Sequence, residues 1–148
     1  MTMMAEMLPD ARVLDLFAGS GALGLEAMSR GAKSVDFVEN GAAALHALKA
    51  NVAAFRVRGR TRIFKRDAIP FVEQIDTMGY DVAMADPPYG SRKLDRIVER
   101  WLAVPFSAVL AFEHAPEHVI PTRGLSRRVG DSTVTLLRTP SRNRRSAS

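Results

Sequence analysis

No cysteine occurs in the 148 residues. That excludes disulfides, thiolate-bound zinc, iron–sulfur ligation and a thiol nucleophile. It also suits a reducing compartment, and a cytoplasmic location is expected. Basic residues are missing from Met1 to Asp10, which holds four methionines and no basic flank before an apolar run. A signal peptide or a membrane span is therefore not expected there, and no membrane is an expected partner. Acids are missing from Arg138 to Ser148, which carries four arginines; without those charges the net charge falls from +5 to +1. Rich in Arg and Ser and poor in apolar residues, 138–148 has the composition of a disordered basic tail. No internal repeat is visible. No serine sits in a nucleophile elbow, and Lys33 and Lys49 complete no phosphate-binding lysine motif.

What is present reads as one globular domain over residues 1–137. Hydrophobic residues make up 47% and charged residues 25%, ordinary values for a folded domain. A chain of this length buries about two thirds of its unfolded surface. Apolar runs at Arg12–Phe17, Ser34–Glu39, Thr61–Lys65, Tyr80–Ala85 and Phe106–Phe112 read as strands. Helical periodicity separates them. Ala22–Arg30 places Leu23, Ala27 and Met28 on one face. Gly41–Phe55 does so with Ala44, Leu45, Leu48 and Val52, and Lys93–Leu102 with Leu94, Ile97, Val98 and Trp101. A short helix over Ala68–Ile75 is entered near Pro70. Strands alternating with helices imply parallel pairing by right-handed crossovers. Leu125–Val129 and Thr133–Arg138, around Gly130-Asp131, are too close for a crossover and should form a hairpin. The expected fold is α/β: a doubly wound, Rossmann-like sheet, mostly parallel, with an antiparallel hairpin strand at its C-terminal end.

Two motifs carry chemistry. Gly19-Ser20-Gly21-Ala22-Leu23-Gly24 follows the first strand and opens the first helix. Gly19 and Gly21 would let backbone pass close to a ligand, and Gly24 would let the helix pack on the sheet. The helix N-terminus favours a negative ligand group, such as the carboxylate of S-adenosylmethionine. Asp15 and Phe17 lie just before this turn. Asp15 could meet a cofactor ammonium, and is otherwise a costly buried charge. Glu39, twenty residues after Gly19, stands where an acid accepts from ribose hydroxyls, in S-adenosylmethionine or NAD alike. Asp67, after the third strand, could accept from an adenine amine or cap the following helix.

The second motif is Asp86-Pro87-Pro88-Tyr89, after the fourth strand. A carboxylate, two prolines and an aromatic ring suit a planar group with an exocyclic amine. Asp86 and the Pro87 carbonyl would accept the two amine hydrogens, leaving the nitrogen lone pair aimed at an activated methyl. Asp86 would stabilise the positive charge that grows on nitrogen, and Tyr89 would stack on the base beside Pro88. Asp86, Pro87 and Tyr89 are the expected catalytic set, and Asp86 also borders the cofactor. The cluster Arg56, Arg58, Arg60, Arg62, Lys65 and Arg66 contains no acid and reads as a phosphate-tracking patch, with Arg56 and Arg58 as substrate contacts. His114 and His118 are spaced like metal ligands, but Pro116 interrupts a helical zinc motif, and no metal site is expected. Glu113 ends the fifth strand near the rim of Asp86, as a substrate contact or a solvated strand end.

Asp15-Leu16-Phe17-Ala18-Gly19-Ser20-Gly21-Ala22-Leu23-Gly24-Leu25-Glu26-Ala27, together with Asp86-Pro87-Pro88-Tyr89, resembles the RsmD family of bacterial 16S ribosomal RNA (guanine-N2)-methyltransferases. The resemblance runs from about Arg12 to Leu137. It implies S-adenosylmethionine as cofactor and ribosomal RNA or the small ribosomal subunit as partner. It puts Glu39 and Asp67 at the ribose and adenine positions and Asp86 to Tyr89 at the target base. A monomer is expected. The family also carries a basic, RNA-facing extension and a cofactor-covering helix before the first strand. Only about ten residues stand there in this sequence, none of Met1 to Asp10 is basic, and weak methylation is the expectation. The same clamp logic serves a DNA adenine-N6 methyltransferase, and a non-catalytic nucleic-acid-binding member of the fold is the remaining alternative.

Overall fold

The computed structural model describes residues 2–88, 90–122 and 124–140. Seven strands form one sheet: β1 (Arg12–Leu16), β2 (Ser34–Glu39), β3 (Thr61–Lys65), β4 (Tyr80–Ala85), β5 (Ser107–His114), β6 (Leu125–Val129) and β7 (Ser132–Arg138). Four helices alternate with them: α1 (Ala22–Ser29), α2 (Ala42–Ala54), α3 (Ala68–Glu73) and α4 (Lys93–Ala103). The strand order is β3-β2-β1-β4-β5-β7-β6. The first five strands in the chain pair in parallel, while β7 runs antiparallel to both β5 and β6. This is the doubly wound sheet with a terminal hairpin that the alternating pattern implied.

Strand periodicity sorts the core into two layers. Val13, Val35, Phe37, Met84 and Ala111 pack with Leu25 and Met28 of α1 and Leu48 and Val52 of α2. Leu14, Leu16, Val38, Ala85 and Phe112 pack on the other face with Ile69 and Val72 of α3 and Ile97 and Trp101 of α4. A 3-10 turn over Thr2–Met7, which no periodicity announced, lays Met4 against the first layer.

Four local readings change. Leu23 does not face inward: it is 38% exposed, and Leu25 takes the buried place. The reason is that Gly24 rests directly on Phe37, which turns the inner face of α1 towards Gly24, Leu25, Ala27 and Met28. β5 continues two residues past Phe112 because Glu113 and His114 pair with Val134 and Thr133. α3 stops at Glu73, and Ile75 closes the turn by donating to the Val72 carbonyl. Arg138 is the last residue of β7; positions 141–148 lie outside the described residues.

The order places β1 beside β4 and sends the crossovers from β1 in opposite directions. At such a switch point the strand ends part and a crevice opens above their carboxyl ends. Phe17, directly after β1, and Asp86, directly after β4, therefore stand on either side of that crevice.

Candidate active site

The glycine turn is held from four sides. Phe17 leaves β1 with φ of 57°, a left-handed conformation that costs a non-glycine residue about 1 kcal/mol. Ala18 donates to the Val38 carbonyl at 3.0 Å. Gly19 (φ 59°) donates to Glu39 Oε1 at 2.7 Å, and Glu39 Oε2 accepts from Gly41 at 2.9 Å. Asn51 Nδ2, from α2, donates to the Ser20 carbonyl at 2.9 Å. Below the turn, Asp15 Oδ2 accepts from Gly24 at 3.0 Å.

The three motif glycines do different work. A Cβ on Gly19 would meet nothing within 4 Å, so the backbone there is open to approach. A Cβ on Gly24 would lie 2.3 Å from Phe37 Cε1, so bare backbone is needed for α1 to touch the sheet. Gly21 departs from the expected ligand approach: its missing Cβ points inward, 2.5 Å from Leu48 Cδ1.

These contacts decide which ligand charge the turn suits. The amides of Gly19, Gly21 and Gly24 already donate to Glu39, the Ala18 carbonyl and Asp15. They are not held ready for a pyrophosphate, as a dinucleotide turn requires. Acids surround the turn instead. Burial pushes Asp15 up to about 8, offset in part by the Gly24 bond and reinforced by the charges of Asp86 and Glu39. A cationic ligand would relieve that crowding. Glu39 has lone pairs left for hydroxyls after two amide bonds, since a carboxylate accepts about four. Asp67 caps α3 by accepting from Ile69 at 3.4 Å and stays available at the rim.

Across the crevice, Asp86 is exposed and Pro87 buried. The Pro88 carbonyl is engaged by Ser91, whose Oγ donates at 2.8 Å and whose N–H donates at 3.3 Å, so the turn after β4 is tied down. Tyr89 lies outside the described residues. Partial desolvation by the strand end and the proline turn raises Asp86 above the ordinary carboxylate range although much of the residue is exposed, and the charge of Glu113 adds to it. A cleft lined by Met4, Leu23, Met84, Ala111 and Val134 also has Asp86 and Glu113 in its lining.

The fold does not bring Arg56 and Arg58 to this place. Both precede β3, at the amino ends of the parallel strands, whereas Asp86 follows β4 at the carboxyl ends. Arg62 is exposed but already engaged: its guanidinium donates twice to the buried Asp36, at 2.9 and 2.6 Å, and Tyr80 OH donates to the same carboxylate at 2.7 Å. His114 is buried, with its ring nitrogens bonded to the Ala115 carbonyl and Thr135 Oγ1; His118 pairs with Asp95 at 2.8 Å. Among the described residues no three His, Cys, Asp or Glu side chains group as metal ligands do. No helix among them is long and apolar enough to cross a membrane.

A family model described as Conserved hypothetical protein 95 matches residues 1–133. The chain belongs to this family, the RsmD family. A 124-residue stretch is 34% identical to the ribosomal RNA small subunit methyltransferase D of Escherichia coli K12, covering 80% of this chain. The chain spans 61% of that relative's length. A hypothetical protein of Thermus thermophilus superposes with a TM-score of 0.79 at 28% identity, over 93% of this chain and 80% of that one. The SAM-dependent methyltransferase from Agrobacterium tumefaciens shares the fold alone, with a TM-score of 0.68 at 17% identity, over 93% of this chain and 61% of that one.

In this RsmD-family site two contributors escaped the sequence reading. Asn51 looks like one more polar position on an amphipathic helix, and no local signal ties it to Ser20. Lys93 opens α4, and its Nζ stands 5.9 Å from the centre of the Phe17 ring, bridging the two sides of the crevice. Its position a few residues after the proline motif was the available clue.

Proposed function

We propose that this chain transfers a methyl group from S-adenosylmethionine to the exocyclic N2 amine of a guanine in small-subunit ribosomal RNA. The observation that carries the reading is the pairing of two features across one switch point. On one side is an acid-ringed glycine turn whose glycine amides are already engaged, and on the other is the aspartate of a proline-rigidified turn. S-adenosylmethionine supplies a methyl on a sulfonium, and its two cationic centres match a turn bordered by the carboxylates of Glu39 and Asp86. Family membership supports the same cofactor and substrate class.

The residues divide the work. Glu39 accepts ribose hydroxyls with its remaining lone pairs while it holds Gly19 in place. Asp67 accepts from the adenine amine. Phe17 and Lys93 close the crevice between the two motifs. Asp86 accepts one hydrogen of the target amine and the Pro87 carbonyl accepts the other, which turns the nitrogen lone pair towards the methyl. Asp86 then stabilises the charge developing on nitrogen in an in-line displacement, and alignment supplies most of the remaining acceleration. The proton leaves the methylated nitrogen for Asp86 or water after transfer.

Labelled S-adenosylmethionine is to be incubated with the protein and, separately, with unmodified small subunits, naked small-subunit rRNA and DNA, and the methylated base identified by nucleoside digestion. N2-methylguanosine from rRNA or subunits is expected. N6-methyladenine from DNA, or cofactor binding without transfer to any of the three, would overturn the reading.

A further inference from the structure

The crevice at Asp86 has a second acid whose position the mechanism above leaves unused. β4 and β5 are parallel, with Ala85 opposite Phe112. Asp86 and Glu113 come one residue beyond that pair, on adjacent strand ends roughly 5 Å apart along the hydrogen-bonding direction. Ala85 and Phe112 belong to the layer under α3 and α4, and Met84 and Ala111 to the layer under α1 and α2. Alternation therefore turns Asp86 and Glu113 to the same side, and both line the mostly apolar cleft along with Met84 and Ala111. On the far side of the proline turn a second cleft is bounded by Pro87, Pro88, Leu94 and His118, and Glu113 lines that one too. Glu113 is exposed and forms no ion pair in the structure among the described residues.

A mostly apolar cleft with two neighbouring carboxylates in its lining suits a planar group with two adjacent donors. Three bases carry an exocyclic amine. In adenine and cytosine the ring nitrogen next to it bears a lone pair, which a carboxylate repels. In guanine the neighbour is N1–H, a donor. We propose that Glu113 is the residue that selects guanine, by accepting its N1–H while Asp86 holds the N2 amine. The assignment rests on the methyltransferase reading above and deepens it. It also accounts for two like charges side by side at a strand end, where the charge of Glu113 adds to desolvation in raising Asp86. The bound guanine edge places donors against both.

The test uses a small-subunit rRNA fragment containing the guanine that the parent chain methylates, and the same fragment with 2-aminopurine at that position. 2-Aminopurine keeps the C2 amine but has a lone pair at N1. The parent should prefer guanine by about 10- to 100-fold in single-turnover transfer, the effect of one hydrogen bond to a charged group. Glu113→Gln, whose amide can donate to N1 or accept from it, should bring the preference within about threefold. The ratio of fragment dissociation constants, measured without cofactor, should collapse in the same way. An unchanged preference in Glu113→Gln, or a parent that methylates both fragments equally, overturns the role of Glu113 and leaves the methyltransferase reading standing. A parent that transfers no methyl to guanine in any RNA sinks the methyltransferase reading, and this role falls with it.

Discussion

Glu39 Oε1 accepts the Gly19 N–H at 2.7 Å, so the acid at the end of β2 fixes the glycine turn at the end of β1. Its other oxygen accepts from Gly41 and fixes the start of α2. One side chain thereby ties the turn, two strands and a helix. Alanine at 39 strips acceptors from two backbone amides, at a cost of about 1–3 kcal/mol. Glu39→Ala should lower the unfolding midpoint and weaken S-adenosylmethionine binding at least about tenfold, read by calorimetry. Glu39→Gln should recover only part, because its NH2 would face one of the two amides donor to donor. Full recovery by Gln would show that one acceptor is enough.

Gly24 and Gly19 should separate packing from ligand approach. Gly24→Ala drives a Cβ into Phe37 and Val35, both fully buried, and should destabilise by about 1–3 kcal/mol. Gly19→Ala meets open space and costs only the left-handed conformation, about 1–2 kcal/mol. Its larger effect should fall on cofactor affinity. Urea midpoints and dissociation constants on the same two variants decide this. A Gly19→Ala protein with unchanged affinity would mean that nothing approaches the turn there.

Asp15 gives stability a predictable pH slope. Its folded value, about 8, lies far above the unfolded value near 3.8. Below the unfolded value both states hold the proton and its contribution is fully present. Between the two values the unfolded chain has lost the proton and the folded chain keeps it. Stability is therefore lost as pH rises to about 8, by at most about 1.4 kcal/mol per pH unit. Asp15→Asn keeps an acceptor for Gly24 and removes the titration. Denaturant midpoints at about pH 5 and about pH 8 should fall in the parent and stay nearly level in the variant. Parallel profiles in both proteins would show that Asp15 is ionised in the fold.

Asp86 should govern the acid limb of methyl transfer. The acceptor role proposed for it requires the carboxylate, and partial desolvation and the charge of Glu113 both raise it. The single-turnover rate should rise with pH through that raised value. Asp86→Ala should reduce transfer by about two to three orders of magnitude while leaving cofactor affinity within a few-fold. Glu113→Gln removes one like charge and should move the acid limb to lower pH. A limb that stays in place means the two carboxylates do not sense each other.

Arg58 lies at the amino ends of the parallel strands, opposite Asp86, so under the proposed function it should act on RNA only through charge. Arg58→Ala should leave the transfer rate on saturating RNA unchanged. If Arg58 meets a single-stranded phosphate, the slope of log affinity against log salt should fall by about 0.7. A changed rate at saturation would place this arginine nearer the target base than the strand direction allows.

The sequence alone determined the strands, the helices and most of their faces. Apolar alternation located β2, β3, β4 and β6 to the residue, and helical spacing identified Leu94, Ile97, Val98 and Trp101 as one buried face of α4. Periodicity is local, so it needs nothing beyond the segment that carries it. The two motifs were legible for the same reason, as turn chemistry contiguous with a strand end. Tertiary structure decided everything that depends on which end of the sheet a residue occupies and which strand lies beside it. Arg58 and Asp86 are both near strand ends in sequence, and parallel pairing puts them at opposite rims. Arg62 reads as a free cation until β3 docks on β2 and Asp36 engages it. Gly21 reads as a ligand contact until α2 brings Leu48 beneath it. The sequence already put Glu113 near the rim of Asp86, 27 positions earlier, but that the two acids stand directly side by side was decided by the parallel register of β5 on β4.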